Sequence, residues 1–90
     1  MLLRQLEYIV AVDHYRSFTR AADVCCVTQP TLSQQIKVLE DHLAVEIFNR
    51  SQIPIEPTRR GQQIIERARL VIAEARSLER FARELVSQDL

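Results

Sequence analysis

Five polar side chains, spaced so that one helix would turn them toward solvent together, are the residues of this sequence best suited to chemistry. They are Gln29, Thr31, Ser33, Gln34 and Lys37. Their amide, hydroxyl and ammonium groups donate and accept hydrogen bonds, which suits the base edges and phosphates of a DNA duplex. A solvated polar face is the plain alternative for any one of them, because such residues lie mostly on protein surfaces.

Residues 17–39 predict the two short helices that would position this set. Ser17 and Thr28 are each suited to cap the helix that follows, because a hydroxyl oxygen accepts a hydrogen bond from a free N–H of the first turn. Pro30 falls in the first turn of the second helix, after Thr28, where its missing N–H costs nothing. The apolar faces are Leu32, Ile36 and Leu39 in the second helix and Phe18, Ala21, Ala22 and Cys25 in the first. Together they predict a helix-turn-helix whose exposed tip fits a DNA major groove.

The remaining reactive residues are scattered. His14 and His42 are isolated, and Cys25 and Cys26 are adjacent, which gives neither a disulfide framework nor the CxxC spacing of a metal site. No nucleophile, base and orienting group fall at productive spacing, and no glycine-rich phosphate loop is present. We therefore expect no catalytic residue, no metal and no cofactor, and an enzyme is disfavoured.

Length and composition favour one small helical domain. Ninety residues are too few for a two-domain enzyme with a buried cleft. One glycine and three prolines, without long alternating strand patterns, predict mostly helix. No apolar run is long enough to span a bilayer, and the start of the chain does not have the pattern of a signal peptide, so we expect a cytoplasmic protein.

The flanking segments predict a first helix and a wing. Residues Leu3, Leu6, Ile9 and Val10 would line one side of a helix from about position 2 or 3 to near position 14. Residues 45–48 alternate apolar and charged, residues 51–54 form a turn, and residues 55–57 form a short returning edge strand. These segments predict a small two-stranded wing that would be marginal by itself.

From Thr58, a predicted cap, the chain carries apolar residues at alternating spacings of four and three. They are Ile64, Ala68, Val71, Ala75, Leu78, Ala82 and Leu85. This heptad pattern with charged flanks is typical of a helix that pairs along one seam. A helix of ~30 residues would be ~45 Å long, farther than a core built from residues 1–58 covers. We expect a homodimer through this seam; the alternative is a seam that packs on its own domain and frays beyond it.

By these residues the sequence resembles the LysR-type bacterial transcription regulators. The resemblance covers essentially the whole chain and rests on residues 3–8, 17–22, 27–33, 36–40, 43, 47–50 and 58–61. It implies a mainly α fold: a winged helix-turn-helix of three helices and a two-stranded wing over residues 1–58, then a linker and dimerisation helix over residues 59–90. It also implies an effector-binding domain outside this chain, through which alone a small-molecule or redox effector would act, and a full-length protein that is a homodimer or a tetramer. Residues 14–43 look closest to peroxide-sensing and related members.

The resemblance also implies roles for single residues on duplex DNA. It assigns base-edge contacts to Gln29, Pro30, Ser33 and Gln34, and backbone contacts to Ser17, Thr19, Arg20, Thr31, Lys37 and Arg50. The wing residues would be Gln52, Ile53 and Pro54. A glutamine pairs bidentately with adenine, and a proline ring can press on a thymine methyl group, so these roles are chemically reasonable.

Three positions depart from the family's pattern. Gln34 stands where many members carry arginine, and Ile53 stands where a wing arginine commonly enters the minor groove, so the wing tip lacks a charge for a narrow groove. Ala44 stands where a glycine usually ends the recognition helix. If Ala44 adopts a left-handed conformation, it should cost about 1 kcal/mol relative to glycine.

Charge argues against binding driven by bulk electrostatics. Residues 1–58 hold five basic and seven acidic residues, a net charge of −2, and residues 59–90 hold seven and five, a net charge of +2. We expect modest affinity for random DNA and dependence on a specific dimeric site. The rival interpretation is a helical protein-interaction or dimerisation module with weak or lost DNA binding.

Overall fold

A computed structural model describes residues 1–89 and gives the expected order of elements. They are α1 (Leu3–Tyr15), α2 (Phe18–Cys25), α3 (Gln29–Leu43), β1 (Phe48–Asn49), β2 (Glu56–Pro57) and α4 (Arg59–Gln88). The two strands pair antiparallel, with Phe48 opposite Pro57 and Asn49 opposite Glu56. The predicted winged helix-turn-helix followed by one long helix is confirmed.

Hydroxyl caps start three of the helices, as the sequence predicts. The Oγ of Ser17 accepts from the backbone N–H of Arg20, and Oγ1 of Thr28 accepts from that of Thr31. Thr58 Oγ1 accepts from Gly61 N at 2.9 Å. Each cap satisfies a backbone donor that has no partner within its own helix, so the starts of α2, α3 and α4 are set locally.

Three helices end on left-handed residues that are not glycine. Arg16 after α1, Cys26 after α2 and Ala44 after α3 have φ of 54°, 60° and 57°. At each of these positions the backbone N–H donates to a carbonyl of the last turn, which closes the helix. Ala44 therefore has the left-handed conformation for which we expect a cost of about 1 kcal/mol relative to glycine.

The core lies where α1, α3 and the first half of α4 meet. Its fully buried side chains include Ile9, Val12, Leu32, Ile36, Leu39, Ile47, Phe48 and Ile65. The predicted stripe of α1 is only partly correct, because Leu3 is 39% exposed and Val10 half-buried, whereas Tyr8 and Val12 are buried. Packing of α1 against both α3 and α4 widens its buried sector beyond one stripe.

The first wing strand is shorter than predicted. Residues 45–47 lie outside it, because the backbone N–H groups of Ile47 and Phe48 donate to the side chain of Glu40 at 2.7 and 3.3 Å. The carbonyl of Ile47 accepts from Thr58 N at 2.8 Å. These backbone groups bind α3 and the start of α4 and do not extend the ladder.

The long helix α4 uses one face for its own domain. Gly61, Ile65, Ala68 and Ile72 are buried against the core. Ala68, predicted to lie in a dimer seam, is 3% exposed and belongs to the protomer core, because the core stripe and the seam overlap at this position. Of the other predicted seam residues, Ile64 and Ala75 are half-buried, and Val71, Leu78, Ala82 and Leu85 are exposed.

Candidate nucleic-acid interface

One ridge of α3 carries three of the five polar side chains that the sequence singles out, together with Asp41. Gln29, Ser33, Lys37 and Asp41 follow one another at intervals of four residues, which aligns them along one side of the helix. Pro30, Gln34 and Val38 form the adjoining row, and these seven residues line one shallow surface depression. All four predicted base-contacting residues therefore share one surface.

The opposite side of α3 fixes the direction in which this ridge points. Leu32, Ile36 and Leu39 have no exposed surface. Gln35 turns inward and accepts a hydrogen bond from Gln5 Nε2 of α1 at 3.1 Å. Rotating α3 about its axis would expose these side chains to water, so the polar ridge stays outward.

The first turn of α3 combines a cap with exposed polar groups. Gln29, Pro30 and Gln34 are exposed, and Ser33 is half-buried. Thr31 is exposed too, but its hydroxyl lies 2.9 Å from the hydroxyl of Thr28 and belongs to the cap. The amides of Gln29 and Gln34 make no hydrogen bond to another residue among positions 1–89, which leaves them available to a ligand.

The predicted phosphate-contacting residues of α2 lie at its N-terminus. Ser17 caps the helix, and Thr19 and Arg20 are exposed beside it. The Arg20 guanidinium lies 5.6 Å from the ring centre of Tyr15, an arrangement that favours a cation on an aromatic face. A helix N-terminus with free N–H groups and a nearby cation suits a phosphate.

Arg50 is held at the base of the wing by Glu40, a residue that the sequence analysis did not single out. Arg50 Nη1 lies 2.9 Å from Glu40 Oε1, and its guanidinium is 5.4 Å from the Phe18 ring centre. That contact is an ion pair without good hydrogen-bond alignment, whereas Oε2 of Glu40 accepts from two backbone N–H groups. The spacing could have revealed Glu40, since it falls four residues after Ile36 and eight after Leu32 on the buried side of α3.

Gly61 completes the same contact between α3, the wing and α4. A Cβ at this position would overlap the backbone of Ile47, so only glycine fits. We call Glu40, Ile47, Phe48, Arg50 and Gly61 the wing joint. It sets the position of the wing relative to the recognition surface.

A second group of charges ties the wing to α1 and α4. Arg16 Nη1 lies 2.9 Å from Glu56 of β2, and Arg16 Nη2 lies 3.2 Å from Asp13. Arg69 of α4 reaches the other oxygen of Asp13 at 2.7 Å. Glu56 thus anchors strand β2 to the C-terminal end of α1.

The wing tip presents apolar surface. Gln52, Ile53 and Pro54 are all exposed, Ile53 to 96%. Asn49 Oδ1 accepts from the backbone N and Oγ of Ser51 at 3.1 and 2.6 Å, which orders the entry to the turn. The tip offers side-chain bulk and no cation to a DNA groove.

The two cysteines differ in environment. Cys25 is half-buried and Cys26 is exposed. Burial raises the pKa of the Cys25 thiol, and the negative charge of Glu7 and the neighbouring Cys26 raise it further. Cys25 therefore carries less thiolate at neutral pH than an ordinary cysteine, which disfavours nucleophilic chemistry.

Residues 1–89 offer neither a metal-binding cluster nor a membrane-spanning helix. No group of three or more His, Cys, Asp or Glu side chains in this range is arranged to hold a metal ion. None of its helices is both long enough and apolar enough to cross a membrane.

Comparison with known sequences matches most of the chain. The sequence model described as "Bacterial regulatory helix-turn-helix protein, lysR family" matches residues 3–62. A hydrogen peroxide-inducible genes activator from Haemophilus influenzae is 43% identical over 82 residues, covering 91% of this chain and 27% of that protein. The chain thus spans about a quarter of the length of this relative.

Comparison with solved structures matches nearly all of the fold. The complex of the BenM DBD with benA site 1 DNA superposes with a TM-score of 0.92 at 34% identity, covering 97% of this chain and 98% of the other. The complex of the BenM DBD with catB site 1 DNA gives a TM-score of 0.95 at 33% identity, covering 100% and 97%. Both similar chains were crystallised on DNA, and the agreement includes α4 as well as the wing.

Proposed function

The chain belongs to the LysR family of bacterial regulatory helix-turn-helix proteins, and we propose that it recognises its DNA sites through the outward ridge of α3, as a pair of copies joined by α4. Sequence-specific binding of double-stranded DNA is the function of this domain. The assignment of α3 rests on the contrast between its two sides. Gln29, Ser33 and Gln34 face outward, whereas its apolar side is sealed in the core.

Base reading falls to the first turns of α3. The amides of Gln29 and Gln34 each offer a donor and an acceptor, which matches the N6 and N7 edge of adenine. The Ser33 hydroxyl pairs with either kind of base edge, and the ring of Pro30 packs on a thymine methyl group. The dipole of α3 also directs its positive end into the groove.

Backbone contacts surround this reading surface. Lys37 and Thr31 flank it on α3, while Ser17, Thr19 and Arg20 present the start of α2 to the neighbouring phosphates. Arg50 retains free N–H groups beyond its contact with Glu40, because a guanidinium carries five donors. Such contacts set the orientation of the protein and carry no sequence information.

Dimerisation through α4 is the second part of the proposal. Leu78 and Leu85 are 66% and 47% exposed, and Val71 is 46% exposed, along the seam that adjoins the core stripe of α4. A second copy of the chain would cover this surface. We propose that residues 59–90 form the linker and dimerisation helix. Sedimentation at about tens of micromolar should give a dimer. A monomer at that concentration would favour the fraying alternative.

The role of the whole protein is proposed from its relatives. We propose a transcription regulator that acts in the bacterial cytoplasm, in which an effector-binding part outside this chain senses the signal. The relatives are transcription regulators, so the role assigned to this chain is binding and not catalysis.

The decisive experiment is binding of duplexes enriched from a random pool by this chain, compared with scrambled duplexes of the same composition over a salt series. Gln29→Ala should lose about 1–3 kcal/mol on the selected duplex only, because a base contact is lost. Lys37→Ala should weaken both duplexes and reduce the salt slope by less than about 1. Equal losses on both duplexes for Gln29→Ala would remove Gln29 from base reading.

A further inference from the structure

An acidic side chain occupies the ridge assigned to DNA. Asp41 follows Gln29, Ser33 and Lys37 at the same interval of four residues and lines the same depression. It is the exposed one of the two acids in α3, because Glu40 is buried in the wing joint. A carboxylate facing a polyanion opposes binding unless another charge neutralises it.

Asp41 has such a partner in Lys37. Lys37 Nζ lies 3.3 Å from Asp41 Oδ1, and the two side chains are 66% and 67% exposed. Side chains four residues apart are neighbours on a helix surface, although the order with the base first gives the weaker pair. The ammonium that the proposed interface needs for a phosphate is therefore paired with a carboxylate in the free protein.

From this arrangement we propose that Asp41 is a positioning residue that restrains phosphate-driven binding to duplexes of any sequence by occupying Lys37. The inference rests on the proposed function of α3. Asp41 lies twelve residues beyond Gln29, or ~18 Å along the helix, whereas the major groove is ~12 Å wide. Inserting the tip of α3 thus brings Lys37 and Asp41 to the phosphates at the rim.

The consequence for binding follows from counter-ion release. Sequence-independent affinity comes almost entirely from cations that replace the counter-ions of phosphates. A lysine that must leave a carboxylate to reach a phosphate contributes less than a free one, and the carboxylate left behind repels the DNA. Asp41 thereby makes the domain depend more on base contacts, in line with the net charge of −2 from five basic and seven acidic residues in positions 1–58.

The test is Asp41→Asn, measured on the selected and the scrambled duplexes at several salt concentrations. We expect the affinity for the scrambled duplex to rise about 2- to 5-fold near 50 mM salt, with a salt slope steeper by up to about 1. The selected duplex should gain no more than this. In a Lys37→Gln background the gain should fall to the smaller part that comes from direct repulsion between the carboxylate and the DNA, since the rest acts through Lys37.

Glu66→Gln is the matched control, because it also removes one exposed carboxylate but lies on α4. Thermal melting checks that all variants remain folded at the temperature of the binding assay. An equal gain in Glu66→Gln would overturn the proposal, since net charge alone would then explain the effect. A gain that is undiminished without Lys37 would also overturn it.

Two other results separate this inference from the function on which it rests. A loss confined to the selected duplex would identify Asp41 as a base reader that accepts from a cytosine amine, against the proposal. If Gln29→Ala and Lys37→Gln leave binding of both duplexes unchanged, the proposed α3 interface itself fails, and the role of Asp41 with it. If those two variants act as expected and Asp41→Asn changes nothing, only the role of Asp41 is refuted.

Discussion

The two ends of α3 are built for different tasks. At its start, Gln29, Pro30 and Gln34 are exposed, and neither amide is hydrogen-bonded to another residue in the part of the chain that the structure describes. At its other end, Glu40 is 4% exposed and holds two backbone N–H groups of the wing. Substitutions at the start should therefore change DNA binding and leave stability intact, whereas substitutions near the wing joint should change the free energy of unfolding.

The largest expected effect tests the packing of the wing joint. Gly61→Ala should lower the free energy of unfolding by about 3 kcal/mol, because the added methyl group overlaps the Ile47 backbone. Helix propensity alone predicts the opposite sign, a gain of about 1 kcal/mol. Urea denaturation measures the difference, with the exposed Gln62→Ala as control. A more stable Gly61→Ala variant would show that α4 and Ile47 are not in close contact.

Glu40→Gln should cost slightly less, about 2–3 kcal/mol. It removes the charge from a carboxylate that binds two backbone N–H groups and Arg50. The cost stays at the low end for breaking a buried ion pair, because the Arg50 side chain is 35% exposed.

The neighbouring Asp41→Asn is the control for Glu40→Gln, since Asp41 is exposed and should change the free energy of unfolding by less than about 0.5 kcal/mol. Chemical denaturation of both variants measures the contrast. Similar free energies of unfolding for the two variants would contradict the claim that Glu40 stabilises the fold and Asp41 does not.

The smallest effect concerns the residue that ends α3. Ala44→Gly should stabilise the fold by about 1 kcal/mol, because Ala44 has φ of 57° and glycine adopts this conformation without a Cβ clash. Ala73→Gly within α4 should instead destabilise it by a similar amount. Melting temperatures of the two variants should move in opposite directions, and a lower melting temperature for Ala44→Gly would contradict the structure at this position.

The sequence predicted the elements whose signals are local. Ser17, Thr28 and Thr58 marked helix starts because a cap needs only a hydroxyl and the next three residues. The outward side of α3 was equally predictable, since Leu32, Ile36 and Leu39 identify its buried side by spacing alone.

Contacts between distant segments were not predictable in the same way. The length of β1 depends on Glu40, whose side chain takes the N–H groups that an extended strand would use. Ala68 fits both a heptad seam and a core stripe, and its burial depends on how α4 packs on its own domain. The ion pair of Lys37 with Asp41 agrees with their spacing, but its place on the DNA-facing ridge required the orientation of α3.

The most direct measurement is a crystal structure of this chain on a duplex selected by its own binding. We predict that α3 lies in the major groove and that the Gln29 amide reaches a base edge at about 2.7–3.2 Å, the range of a hydrogen bond. A complex in which the side of α3 bearing Gln29 and Ser33 faces solvent, with the duplex held by another surface, would contradict this account.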